Sequence, residues 1–201
     1  MATSGVNYVE LGLRQFQTNG FLGASAYTSK SYIDSLNLPE GPTYGVMIDA
    51  KTILNRDASQ EESIDIFFDK SNNEKIDLVR IAAHYHEVEH CLPMILCLKN
   101  KGYIVGLNIM QVSLKSNEEL SMIGKLVQSW EAIDVLYFAD SLGSMHGDDI
   151  TRVYDSLRES WKGDIGFHAH NNLHAAVANS ISSIENGCSS IDVCTRGYGA
   201  G

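Results

Sequence analysis

Short apolar, β-branched or aromatic runs alternate along the chain with longer stretches whose apolar positions recur at helical spacing. The runs NYVELGL (7–13), TYGVMIDA (43–50), KIDLVRIAAH (75–84), GYIVGLNIM (102–110), IDVLYFAD (133–140), DIGFHAH (164–170) and SSIDVCT (189–195) read as strands. Most are nearly continuously apolar, as strands of a parallel sheet must be when helices cover both faces. SNEELSMIGKLVQSWEA (116–132) is periodic as a helix, and Ser116 followed by Glu119 forms a capping-box pattern at its start. GDDITRVYDSLRESW (147–161) and NNLHAAVANSISSIENG (171–187) read the same way, and the second ends at Gly187, a natural helix stop. Residues 55–75 carry no single period and stay open between a helix and an extra extended piece.

Strand then helix, repeated at intervals of roughly 25 to 40 residues, is the pattern of βα units and of an α/β fold. Nothing resembling a linker interrupts residues 1–201, so one domain is expected. A doubly wound sheet for a dinucleotide would carry GxGxxG after its first strand, and the sequence has none there. The better reading is a TIM (β/α)8 barrel cut at both ends, because seven strand candidates fall short of eight and the chain opens directly into strand.

The formal charge of −10 argues against a nucleic-acid surface, since such affinity rests on basic patches that release counterions. One or two local arginines can still hold a small anion. Cys91, Cys97, Cys188 and Cys194 lie in or beside apolar segments without CxxC spacing and read as reduced thiols. No apolar run approaches a membrane span and the N-terminus lacks a signal-peptide pattern, so a cytoplasmic protein without membrane partners is expected.

In an α/β barrel the chemistry sits at the C-terminal ends of the strands. The polar residues there are Glu10 and Arg14; Asp49; Arg80, His84 and His86; Asn108 and Gln111; Asp140 and Ser141; His168, His170, Asn171 and Asn172; and Thr195 and Arg196. His168 and His170 are the sharpest pair. Residues i and i+2 of a strand face the same way, so both imidazoles can reach one ion, and neutral imidazole suits divalent transition metals. Two hydrogen-bonded histidines at a strand end would look the same, and His84 and His86 repeat the spacing with His90 following. There is no GxSxG elbow and no base beside Ser141, which disfavours a serine hydrolase. The terminal GYGAG (197–201) reads as an anion cradle or a turn, and Arg14 and Arg80 as carboxylate clamps or structural cations.

Taken in order, GVNYVELGLR, DLVRIAAHYHE, GYIVGLNIMQVS, FADSLGSM and GFHAHNNLHAAVANSISSIENGCSSIDVCTRGYGAG resemble the barrel strands of the DRE-TIM metallolyases, which include HMG-CoA lyase. The aldolase branch, typified by 4-hydroxy-2-oxovalerate aldolase, is the most similar. The resemblance implies a carbon–carbon lyase for a small 2-oxo acid, with Mn2+ or Mg2+ stabilising the enolate, and association with further copies of itself. It implies His168 and His170 as metal ligands, with Glu10, Arg14, Arg80, His84, Asp140 and Ser141 around the substrate.

The sequence departs from the family at several points. The first-strand Asp-x-Thr-Leu-Arg-Asp-Gly motif, which supplies a metal-binding aspartate and a catalytic arginine, does not occur, so no catalytic residue is assigned. The Ala-Gly-Asn that follows the family's last strand is not reached, and His174 stands where a small residue is usual. The mapping gives strands two to eight, and the expectation is a fragment with little or no aldolase activity. The alternatives are an isopropylmalate synthase-like acyltransferase and a non-catalytic barrel remnant.

Overall fold

The computed structural model describes residues 4–18, 20, 22–68 and 74–194. Seven parallel strands alternate with helices, and their order in the sheet is their order in the chain, β1 to β7. This is the α/β topology of a partial TIM barrel, as the alternation predicts. The chain divides into two compact units.

The first unit, Met1–Ala82 with His90–Gly106, holds β1 (Tyr8–Leu13), β2 (Thr43–Asp49) and most of β3 (Leu78–His84). β1 pairs with β2 as Tyr8↔Thr43 and Glu10↔Gly45, then shifts register to reach Leu13↔Met47. β2 pairs with β3 as Gly45↔Leu78, Met47↔Arg80 and Asp49↔Ala82. β3 is buried from Leu78 to Ala83, on both faces, which is why its sequence does not alternate. The unit also contains α1 (Lys30–Ser35), α2 (Ala50–Leu54), α3 (Gln60–Phe67) and α4 (Leu92–Asn100). Asp49 ends β2 and caps α2, its carboxylate accepting the Lys51 amide at 2.9 Å. The undecided stretch 55–75 contains α3, opened by a reciprocal box in which Ser59 and Glu62 bond each other's amides. Ile48, Ile64, Phe68, Ile81 and Met94 are fully buried, and Tyr103 meets Phe68 edge-on at 5.4 Å.

The second unit, Ala83–Glu89 with Leu107–Gly201, holds most of β4 (Ile104–Met110) and then α5 (Asn117–Trp130), β5 (Val135–Ala139), α6 (Gly147–Arg158), β6 (Asp164–His168), α7 (Ala176–Asn186) and β7 (Ser190–Ile191). The Ser116–Glu119 box is formed as its spacing predicts. β5 and β6 pair as Tyr137↔Gly166 and Ala139↔His168, with Phe138 and Phe167 buried 4.9 Å apart. α7 starts later than 171, because His174 turns left-handed (φ 57°) and Asn171 Oδ1 accepts the Ala176 amide at 3.1 Å. It ends at Gly187, whose φ of 106° suits only glycine well. β7 is shorter than the run 189–195, pairing only as Gly166↔Ser190 and Phe167↔Ile191. No helix among the described residues is long and apolar enough to cross a membrane.

Candidate functional site

In the second unit, His168 closes β6 and His170 follows two residues later, both half-buried. Their rings meet edge to face with centroids 5.1 Å apart. His168 Nδ1 lies 2.7 Å from Asp192 Oδ2. Burial pushes the His170 pKa below its ordinary value of 6.5; His168 pushes it the same way, and Asp140 opposes them. A neutral His170 is what a metal ligand requires.

Asp140 follows β5 and is 1% exposed. Its oxygens accept the Ser144 and Met145 amides at 2.9 and 3.2 Å, and its own amide donates to the His168 carbonyl at 3.0 Å. The carboxylate thus shapes the loop after β5 while its charge reaches His170. Ser141 Oγ accepts the amide of Gln111 at 3.0 Å, a left-handed residue (φ 57°) directly after β4. Gly143 (φ 59°) lies so close to Asn172 that a Cβ there would meet Asn172 Cβ and Cγ at 2.7 Å. The loops after β5 and β6 are therefore interlocked beside the histidines. Asn108 is 4% exposed, and its Oδ1 has no hydrogen-bond partner among the described residues.

His84 ends β3. Its amide donates to Glu87 Oε2 at 2.8 Å, its ring stacks on His86 with centroids 5.8 Å apart, and His86 Nε2 lies 3.9 Å from Glu87 Oε1. His90 belongs to the first unit, where its carbonyl accepts Gln60 Nε2 at 2.9 Å.

The first unit contains the arginines. Arg80 Nε donates to Glu10 Oε2 at 2.8 Å, with Arg80 buried and Glu10 partly open. Arg14 is enclosed: Nε donates to the Thr28 carbonyl (3.0 Å), Nη1 to the Phe67 carbonyl (2.7 Å), and Nη1 pairs with Glu74 at 2.7 Å. Its guanidinium also lies over the Phe68 ring, 4.9 Å from the centroid. Thr195, Arg196 and GYGAG lie outside the described residues.

Among the described residues no group of three or more His, Cys, Asp and Glu side chains is gathered as a metal shell. The donors that are present fit two positions of one. The two imidazoles share a strand end, and an acceptor on His168 Nδ1 leaves Nε2 for an ion. Asp192 is not among the candidates read from the sequence, since it lies inside a run that reads as strand.

The HMGL-like family matches residues 49–201. The 4-hydroxy-2-oxovalerate aldolase of Geobacillus genomosp. 3 is 37% identical over 126 residues, which cover 63% of this chain and 37% of that enzyme. The Bacillus cereus enzyme of the same name is 38% identical over 124 residues, 62% of this chain and 36% of its own length. The chain thus matches little more than a third of these curated relatives. In three dimensions, the N-terminal domain of a candidate aldolase from Bacteroides vulgatus superposes with a TM-score of 0.84 at 24% identity, covering 97% of this chain and 62% of that one. The HMG-CoA lyase of Brucella melitensis gives 0.62 at 13% identity, over 81% of this chain and 60% of its own. At these identities the two structures bear on the fold alone.

Proposed function

The chain belongs to the HMGL-like family, and from that premise we propose that it carries the histidine half of the metal site of a carbon–carbon lyase acting on a small 2-oxo acid, in the manner of 4-hydroxy-2-oxovalerate aldolase. The observation that carries this reading is the placement of His168 and His170: two half-buried imidazoles at one strand end, within the span that matches the family. A bound divalent ion, Mn2+ or Mg2+, would supply Lewis acidity to the oxygens of the 2-oxo acid as the carbon–carbon bond breaks.

The protein's own groups prepare for that. Burial favours the unprotonated form of His170, and Asp140 supplies negative charge nearby without itself leaving the loop it holds. Ser141 fixes the end of β4 against the loop after β5. In this reading Asp140 and Ser141 act chiefly by shaping the surroundings of the histidines, because their oxygens are committed to backbone amides. In the first unit, Arg80 is a guanidinium oriented by Glu10 and suited to an anionic group, and Arg14 serves the packing of that unit.

Calorimetric titration of the full chain with Mn2+ tests the reading. Binding that is lost in both His168→Ala and His170→Ala supports it. Identical Mn2+ isotherms for the wild type and both variants would refute it.

A further inference from the structure

The sheet register brings an acidic residue to His168 that the family resemblance did not supply. β6 and β7 pair as Gly166↔Ser190 and Phe167↔Ile191, and the Asp192 amide donates to the Phe167 carbonyl at 3.0 Å. The ladder thus continues one step past the end of β7 and sets Asp192 abreast of His168. Side chains at matching positions of neighbouring parallel strands leave the sheet on the same side, so carboxylate and imidazole meet, Oδ2 to Nδ1, at 2.7 Å. That is the length of a charge-assisted hydrogen bond.

An ionised carboxylate only accepts hydrogen bonds, so the imidazole nitrogen facing it must carry the proton. In the neutral ring the lone pair then belongs to Nε2. We propose that Asp192 is a positioning residue for the metal ligand His168: it fixes the Nδ1–H tautomer and the ring's orientation, and so presents Nε2 as the coordinating nitrogen. The inference rests on the metal-binding reading above and adds to it the nitrogen that binds and the residue that selects it. An outer-shell carboxylate of this kind also makes the imidazole a stronger ligand, and its removal costs about 10- to 100-fold in metal affinity.

Asp192 and His168 are both partly exposed, at 26% and 30% of their side-chain surface, so substitution at 192 opens no core cavity. The test compares wild type with Asp192→Asn and Asp192→Ala. Long-range 1H–15N spectra of the metal-free full chain, recorded where the ring is neutral and assigned with His168→Gln, report the tautomer without any metal. The expected result is the Nδ1–H form in wild type, its retention in D192N, whose amide oxygen still accepts, and a mixture in D192A. Titration with Mn2+ alone should then show affinity about 10- to 100-fold weaker in D192A, with D192N between it and wild type.

An Nε2–H tautomer in the wild type overturns the proposal. So does a D192A variant that binds Mn2+ as the wild type does; in that case His168→Ala still abolishes binding and the metal reading stands. If the wild type shows the Nδ1–H form but binds no Mn2+, it is the metal reading that fails, and the assignment of Nε2 as a ligand falls with it.

Discussion

Removing the carboxylate of Glu74 is the sharpest test of how the first unit is held. Arg14 and Glu74 are 3% and 2% exposed and 2.7 Å apart, so neither charge can turn to water if the other is deleted. Glu74→Ala leaves the Arg14 guanidinium enclosed by two carbonyls and the Phe68 ring, none of which carries the opposing charge. Breaking a buried pair in this way costs about 3 to 5 kcal/mol. The Tyr103 hydroxyl loses its 2.9 Å acceptor on Glu74 as well, for about a further 1 kcal/mol. In a chain of this size 1 kcal/mol moves Tm by about 2 to 4 °C, so for the combined loss of about 4 to 6 kcal/mol a drop of roughly 8 to 24 °C is expected. Urea unfolding followed by circular dichroism measures the loss, and the pair Arg14→Met with Glu74→Met should recover much of it, since no charge is then stranded. An E74A chain within about 1 kcal/mol of wild type would refute the reasoning, because it would mean that Arg14 has water or another anion to turn to.

Three further outcomes follow from other elements. Gly143→Ala places a Cβ on Asn172 at a left-handed position and should cost about 1 to 3 kcal/mol, with Asn172→Gly in the same chain relieving the steric part, both read from urea midpoints. Ser116→Ala removes one arm of the box that opens α5 and should cost about 1 kcal/mol by the same measurement. Burial pushes the Cys188 thiol up to about 12 from 9, so Ellman's reagent should label exposed Cys194 in the folded chain and reach Cys188 only on unfolding. Because the folded thiol keeps its proton after the unfolded one has lost it, its contribution to stability is full below pH 9 and fades as pH rises from 9 towards 12. Cys188→Ala should flatten that alkaline decline in a series of melting curves.

The strands were legible because burial on both faces writes itself as unbroken apolar runs: LVRIAAH reads as β3 and forms β3. α5 was legible because Ser116 and Glu119 sit at capping-box spacing ahead of a periodic run. The same signal opens α3 at Ser59 and Glu62, but that helix has only eight residues and a mostly polar first turn, so its period never emerged from residues 55–75. The histidine pair could be picked out because its spacing matches the pleat. Asp192 could not, since its meeting with His168 depends on where β7 stops and on a register 24 residues away. Arg14 shows the opposite limit: an arginine just past a strand end looks like a ligand clamp until Glu74, Thr28 and Phe67 are found around it.

The contact between Gly143 and Asn172 also constrains how this sequence can change. Asn172 occupies the volume that any side chain at 143 would need, and the Asp140 amide holds the His168 carbonyl between them. A larger residue at 143 is therefore tolerated only by a lineage that has already made 172 smaller, and the intermediate in the reverse order carries the steric cost alone. The loop after β5 and the loop bearing the histidines are in that sense one hereditary unit: they drift together or stay as they are.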